Sequence, residues 1–113
     1  GVFHTLIVHR ENGVPLQCED RYVSPEACPS YLDHDFTRTT PTHVLFETTQ
    51  LWRAQYHIEA LRPTEEEARL LGISPQDPCL VVTQRTFTAQ RPITLARLTH
   101  PGTRYFLEGR FAR

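Results

Sequence analysis

Polar side chains placed inside apolar, strand-like segments are the residues of this sequence most able to do chemistry. Glu19 lies in such a segment near the N-terminus, and Arg97 and Tyr105 lie in two more near the C-terminus. A carboxylate or guanidinium group that is buried in a sheet needs a partner of opposite charge or a hydrogen bond. This pattern predicts a sheet that carries a polar ligand pocket.

Two roles are open for Arg97. A symmetric turn about Pro101 would bring Arg97 opposite Tyr105 on an otherwise apolar face. There the guanidinium group could bind a ligand carboxylate, with Tyr105 as a second donor. Alternatively, it could form a structural ion pair with a carboxylate of the core, or reach water at the end of its strand. Residue type alone favours the structural role.

The segment Arg38-Thr39-Thr40-Pro41 is a second candidate, at the start of a predicted helix. A helix N-terminus presents free N–H groups and a partial positive charge, which suits an anion. The threonine hydroxyls could cap the helix or donate hydrogen bonds to a ligand. Capping is the commoner role, so this motif is weak evidence by itself.

Glu19 is a third candidate, because a half-buried glutamate can accept a hydrogen bond from a ligand N–H group such as that of an imidazole or an amine. A glutamate in a strand more often meets solvent or pairs with an arginine on the next strand. Pairing about a turn at Asn12-Gly13 would place Glu19 opposite Leu6, on the face away from Ile7 and His9. The sequence therefore leaves open which face of the sheet binds a ligand.

No metal or cofactor site is predicted. The six histidines show no His-x-x-x-His spacing, and none pairs with a cysteine. The sequence contains no glycine-rich phosphate loop and no nucleophile elbow. Its three cysteines, an odd number without close spacing, argue against a disulfide framework and indicate a reducing cytoplasm.

Length and charge favour a single small domain. The chain has 113 residues, a formal net charge of -1 and no basic block, so a nucleic-acid surface is not expected within it. No apolar run approaches the length needed to cross a membrane. Because the chain begins at Gly1 and contains no methionine, we expect it to be a fragment of a longer protein.

The elements that must position these residues are strands with two short helices between them. Asn12-Gly13 favours a primed turn in a first hairpin. Thr40-Pro41 starts one helix, and the capping box at Thr64–Glu67 opens another. The fold class is therefore α+β, with a mainly antiparallel six-stranded sheet and short helices. The six predicted strands are Val2–Arg10, Leu16–Val23, Leu51–Leu61, Cys79–Thr88, Ile93–His100 and Tyr105–Phe111, the last two turning near Pro101-Gly102.

Several segments, taken in order, resemble the UTRA domain, which is the effector-binding domain of GntR-type bacterial transcription regulators. Each segment is a weak match by itself, but the order and spacing of the segments are fairly specific. Together the segments extend over nearly the whole chain. Within that family the sequence is most similar to the HutC subfamily of histidine-utilisation repressors. The segments that carry the resemblance are Phe3–His9, Glu11–Pro15, Glu19–Pro25, Asp35–Pro41, Leu98–Tyr105 and Leu107–Phe111.

The resemblance implies a fold like that of chorismate lyase, with no catalysis retained. It implies that residues 1–113 form an effector domain, and that a winged helix-turn-helix domain outside this chain binds operator DNA. It also implies a homodimer formed through the effector domain. The effector implied for this subfamily is urocanate or a close imidazole acid, whose binding lowers the affinity for the operator.

The resemblance also implies roles for individual residues. Glu19 matches a glutamate that contacts the effector in sugar-phosphate-sensing relatives, and Thr39 or Thr40 matches a serine that helps to hold phosphate. Tyr105 matches a tyrosine near the last turn, and Thr99 falls near another contact. Those relatives carry two arginines in the first strand, where this chain has Ile7 and His9. This departure disfavours a sugar phosphate and fits a smaller acid with a single charge.

A pocket for urocanate must hold a carboxylate, a planar linker and an imidazole. The candidates for the carboxylate are Arg97 or Arg38 with Thr39 and Thr40. The candidates for the imidazole end are Glu19, Tyr105 and His9, and the two groups of residues could exchange ends.

Two other functions stay open. One is a small lyase of the chorismate-lyase type that acts on an aromatic acid and uses Glu19 or Glu59. The other is a dimerisation module that has lost its ligand. A dimer surface is expected on the exposed apolar edge of Leu51–Leu61 or on the last strand.

Overall fold

The computed structural model describes residues 1–112, which contain five strands, two α-helices and one 3-10 turn. In chain order these are β1 (Phe3–Glu11), β2 (Val14–Val23), the 3-10 turn (Tyr31–Asp33), α1 (Pro41–Thr48), β3 (Arg53–Leu61), α2 (Glu65–Leu71), β4 (Cys79–Phe87) and β5 (Pro92–Pro101). The strands form one sheet in the order β1-β2-β5-β4-β3, and each neighbouring pair is antiparallel.

The predicted α+β fold with an antiparallel sheet and short helices is confirmed, but the predicted number of six strands is wrong. The segment Tyr105–Phe111 has no regular secondary structure, and the second hairpin is β4–β5 instead. The reason lies in the position of β5, whose two edges already pair with β2 and β4. A strand after Pro101 cannot fold back onto β5, although its apolar residues favour extended structure.

Turn and capping residues end the elements as their types predict. Asn12 and Gly13 have φ values of 52° and 78°, which the central residues of a type I′ turn require. Thr64 and Glu67 exchange both hydrogen bonds of a capping box at the start of α2. Gly72, with a φ of 65°, ends that helix in the left-handed conformation. Neither α-helix within residues 1–112 is long and apolar enough to cross a membrane.

The first hairpin has a register that differs from the predicted one. A β-bulge between His9 and Arg10 shifts the pairing, so that Glu19 lies opposite Ile7. The predicted pairing of Glu19 with Leu6 is therefore wrong. Because a shift of one residue moves a side chain to the other side of the sheet, Glu19 and His9 share a face.

The two faces of the sheet meet different elements. Residues paired across neighbouring strands point to the same side, so the pairing assigns each side chain to a face. One face, here called the α1 face, packs against α1 and the loop before it. The opposite α2 face meets Glu67 of α2 through Arg97 and Thr99. The core under α1 consists of Val23, Cys28, Tyr31, Val44, Leu45 and Ile93.

Candidate ligand site

A buried ionic group on the α1 face joins β1 to β2. Glu19 Oε1 lies 2.6 Å from His9 Nε2, and Arg21 Nε donates to Glu19 Oε2 at 2.6 Å. Glu19 and Arg21 are 3% and 2% exposed, whereas the His9 side chain keeps 32% of its surface exposed. The ion pair therefore lies inside the protein, and His9 is its member that solvent and a ligand can reach.

Arg21 extends this group across the sheet. Its Nη1 donates to Thr94 Oγ1 on β5 at 3.1 Å, and its Nη2 donates to Gln84 Oε1 on β4 at 3.4 Å. Gln84 Nε2 in turn donates to the hydroxyl of Tyr56 on β3 at 3.3 Å. Sequence reasoning did not select Arg21 as a site residue. The spacing Glu19-x-Arg21 was the available signal, since residues two apart on a strand share a face.

The charges of this group offset one another. Burial alone would raise the pKa of Glu19, but the hydrogen bond from His9 and the charge and hydrogen bond of Arg21 hold that pKa below its ordinary value. Glu19 is therefore an ionised carboxylate beside a permanently charged guanidinium group. An ionised carboxylate can only accept hydrogen bonds, so His9 Nε2 carries a proton and donates a hydrogen bond to Glu19.

A second polar cluster adjoins the first and contains Tyr105. Its ring stacks on the buried imidazole of His100, with ring centroids 3.9 Å apart and planes 19° apart. His100 Nδ1 lies 3.1 Å from the carbonyl oxygen of Leu80, and its Nε2 lies 2.9 Å from Gln17 Nε2. Since the carbonyl must accept, Nδ1 donates and Nε2 accepts from Gln17. His100 is thus neutral, and burial lowers its pKa. Gln17 is the cross-strand partner of His9, which connects the two clusters.

Arg97 and Thr99 lie on the α2 face and bind a protein carboxylate. Arg97 Nε and Nη2 donate to the two oxygens of Glu67 at 2.9 and 3.1 Å, and Thr99 Oγ1 also donates to Glu67. Arg97 pairs across strands with Asp20 and Thr83, so the expectation that it faces Tyr105 is wrong. Of the two roles left open for Arg97, the structure displays the ion pair. The structure separates Arg97 and Thr99 from His9, Glu19 and Tyr105.

The surroundings of Arg97 also disfavour an anionic ligand. A groove on the α2 face is lined by Arg97 together with the carboxylates of Asp20, Glu66 and Glu67. Asp20 is further paired with His4. A ligand carboxylate in this groove would be repelled by these negative charges, which weakens its binding. A ligand-binding role for Arg97 and Thr99 stays a prediction.

Arg38, Thr39 and Thr40 make their contacts close to their own position in the chain. Thr40 Oγ1 accepts a hydrogen bond from the backbone N–H of His43 at 3.2 Å and so caps α1. Thr39 N donates to the carbonyl oxygen of Asp35 at 3.2 Å. The Arg38 side chain is 87% exposed, with its Nε 3.9 Å from the Asp35 carboxylate. Capping of α1 by Thr40 is confirmed, and ligand binding by these three residues stays a prediction.

The arrangement on the α1 face is suited to binding a small polar molecule. His9 offers one ring nitrogen beyond its bond to Glu19, and Tyr105 offers an aromatic ring and a hydroxyl nearby. Among residues 1–112, no three His, Cys, Asp or Glu side chains are grouped so that they could hold a metal ion. Of the eight predicted site residues, the structure brings three together on this face, namely His9, Glu19 and Tyr105.

Comparison with known protein families identifies this fold. The sequence profile of the UTRA domain matches residues 1–105. The chain belongs to the UTRA family. Its similarity extends to individual members, since a "Histidine utilization repressor" of Pseudomonas putida is 50% identical over 112 residues, covering 99% of this chain and 45% of that protein. A repressor of the same name from Pseudomonas aeruginosa is 46% identical, covering 98% of this chain and 44% of that protein.

The UTRA chain matches only part of the length of these relatives. It spans less than half the length of the two repressors, at 45% and 44%. Both are named for repression rather than for catalysis, which agrees with the expectation that the chain is not an enzyme.

A solved structure has the same fold. It is the C-terminal domain of the histidine utilization repressor from Pseudomonas syringae pv. tomato, with a TM-score of 0.95, 45% sequence identity, and coverage of 99% of this chain and 79% of that one. PhnF from Mycobacterium smegmatis, at 17% identity and a TM-score of 0.86, covers 98% of this chain and 50% of that one and shares the fold.

Proposed function

We propose that this UTRA chain is the effector-sensing domain of a cytoplasmic repressor of histidine-utilisation genes, and that its effector is urocanate. The single observation that carries this proposal is the His9–Glu19–Arg21 group on the α1 face, which is connected to Tyr105 through Gln17 and His100. In this proposal a winged helix-turn-helix domain outside residues 1–113 binds the operator. Urocanate lowers the operator affinity because it favours one arrangement of the domains over another.

The chemistry of the α1 face supports an effector of this class. Urocanate is planar and carries an imidazole and a carboxylate. The group offers a partly exposed imidazole at His9, and the nearby Tyr105 offers an aromatic ring. A ligand that stacks on an aromatic ring while it makes a hydrogen bond to a fixed partner gains both affinity and orientation. The names of the two Pseudomonas repressors, which stand at 50% and 46% identity, support the same effector pathway.

Replacement of Tyr105 by alanine is expected to weaken urocanate binding by about tenfold, because an aromatic contact contributes roughly 1 kcal/mol or more. Isothermal titration calorimetry of the wild-type chain should give a Kd in the micromolar range. Phe46→Ala is the matched control, since the Phe46 side chain is 73% exposed on α1. Equal loss in both variants, or no binding of urocanate to a folded wild-type chain, would contradict the assignment.

We further propose that the chain forms a homodimer through the edge strand β3. All nine residues of β3 are exposed, and β3 pairs with β4 alone. Its apolar residues include Tyr56 and Ile58, which are 63% and 46% exposed, next to Trp52 at 74%. A long edge strand with exposed apolar side chains is a template for pairing with another chain unless it is covered. The apolar residues Phe106, Leu107 and Phe111 are also exposed and can join such an interface.

Ile58→Lys is expected to convert the dimer to a monomer, because it places a charge in the middle of the exposed edge. Sedimentation velocity of the wild-type and variant chains measures the change. Leu6→Lys is the control, since Leu6 is 41% exposed on β1, the other edge of the sheet. A wild-type chain that sediments as a monomer at high concentration, or a dimer that survives Ile58→Lys and dissociates with Leu6→Lys, would refute an interface at β3.

A further inference from the structure

We propose that His9 binds the carboxylate of the effector as an imidazolium ion, and that binding therefore takes up one proton. Glu19 acts as the positioning residue that holds His9. This inference rests on the proposed function, since it names how the same site recognises an organic acid with a single negative charge. From the sequence alone, His9 is expected at the imidazole end of urocanate, whereas here His9 lies at the carboxylate end.

Two arginines, Arg21 and Arg104, already have acceptors within the protein. Arg21 donates to Glu19, Thr94 and Gln84 and is 2% exposed. Arg104 donates to the carbonyl oxygens of Pro15 and Leu71 at 3.0 and 2.8 Å. A ligand carboxylate would have to break these bonds to reach either guanidinium group. A protonated His9 is a cation of this group that such a ligand can meet without breaking a bond.

The bond to Glu19 fixes what the rest of the His9 ring can do. Nε2 donates to the ionised Glu19 carboxylate at 2.6 Å, which leaves Nδ1 for a ligand. In neutral His9, Nδ1 has a lone pair and accepts a hydrogen bond. It can donate to a carboxylate only after it gains a proton. An N–H group of a ligand would need no such proton, so the number of protons taken up identifies which ligand group lies at His9.

A second imidazole, that of His100, lies in the adjoining cluster. His100 does not compete for the proton, because both of its ring nitrogens already have partners and burial lowers its pKa. The charged or titratable groups of this region are Glu19, which His9 contacts, Arg21 beyond it, His100 and Tyr105 in the adjoining cluster, and Arg10 and Glu11 on the same strand as His9.

The test is calorimetry of the chain in pairs of buffers with different ionisation enthalpies, which counts the protons taken up on binding. The ligands are urocanate, trans-cinnamate, which keeps the carboxylate but has no imidazole, and urocanic acid amide, which keeps the imidazole but has no charge. We expect about one proton per bound acid toward pH 9 and none for the amide. Because binding takes up one proton, the Kd of both acids should rise with pH, by up to about tenfold per pH unit.

Two variants test whether His9, rather than another histidine, takes up the proton. His9→Gln should bind the acids more weakly, with no proton uptake and no dependence on pH. His4→Gln should keep the wild-type proton count. It is a matched control, because His4 lies on the same strand and also pairs with a carboxylate, Asp20, but on the α2 face.

The possible results are distinct. Tight binding of both acids without proton uptake, and with a flat Kd between about pH 6 and 9, would overturn the role of His9 and leave the proposed function intact. Uptake with urocanate but not with cinnamate would also overturn it, because the ligand's own imidazole would then be the proton acceptor. Failure of every acid to bind a folded chain would instead refute the proposed function.

Discussion

Glu67→Gln is expected to lower the free energy of unfolding by about 2 to 3 kcal/mol, because it removes the charge from a buried ion pair. The Glu67 residue is 6% exposed and its two oxygens accept four hydrogen bonds within the protein. They come from Thr64 N, from Nε and Nη2 of Arg97, and from Thr99 Oγ1. Glutamine can keep the bond to Thr64, but it cannot neutralise Arg97.

The Glu67 carboxylate makes the free energy of unfolding depend on pH. Burial would raise the pKa of Glu67, but the hydrogen bonds from Arg97, Thr99 and Thr64 outweigh burial and lower it from 4.5 to about 2. A group whose pKa is lower in the folded state stabilises that state fully at a pH above its unfolded value. This contribution is lost as the pH falls from about 4.5 to about 2. The difference between wild type and Glu67→Gln should shrink over that range.

Urea denaturation at a series of pH values measures both effects, provided that the m-value stays constant. Glu66→Gln is the control, since Glu66 is an exposed neighbour on the same helix and its replacement should change stability by less than about 0.5 kcal/mol. A loss that is equal for the two variants would indicate a general effect of charge on α2. A loss for Glu67→Gln that persists unchanged to about pH 2 would contradict the low pKa of Glu67.

Local signals in the sequence predicted the turns and helix starts because these depend on a few adjacent residues. Asn12-Gly13 specifies its own turn, and Thr64 with Glu67 specifies a capping box. The second role of Glu67, as the partner of Arg97, joins residues 30 positions apart and depends on how α2 packs on the sheet. The sequence could therefore propose a core carboxylate for Arg97 but could not name it.

The site was harder to predict because it depends on register and strand order. The bulge after His9 moves Glu19 to the same face as His9, and a simple count from the turn gives the opposite face. The absence of a strand at Tyr105–Phe111 has a similar origin, since alternation of apolar residues does not reveal that β5 lies between two other strands. The predicted pairing of Arg97 with Tyr105 across a sixth strand is wrong for the same reason. Arg21 links three strands, and its role could not be predicted because Thr94 and Gln84 are distant from it in sequence.

Arg21→Met is expected to cost about 4 kcal/mol of folding free energy, because it leaves the ionised Glu19 buried without its cation. Glu19 would keep only the bond to His9, and Thr94 and Gln84 would lose a donor. Urea denaturation measures the loss. Arg85→Met is the control, since Arg85 is exposed on β4 and its replacement should change stability by less than about 0.5 kcal/mol.

The double variant Glu19→Gln with Arg21→Met shows what the buried pair is for. Removal of both charges leaves no uncompensated ion, so we expect it to regain about half or more of the stability lost in Arg21→Met. Effector binding should not return, because His9 then lacks the carboxylate that orients its ring. A double variant as unstable as Arg21→Met would show that packing, rather than charge, makes Arg21 important. A stable double variant with wild-type affinity would exclude the Glu19–Arg21 pair from effector recognition. Recovered stability without recovered binding would mean that the sheet tolerates an apolar replacement and keeps the ion pair for recognition.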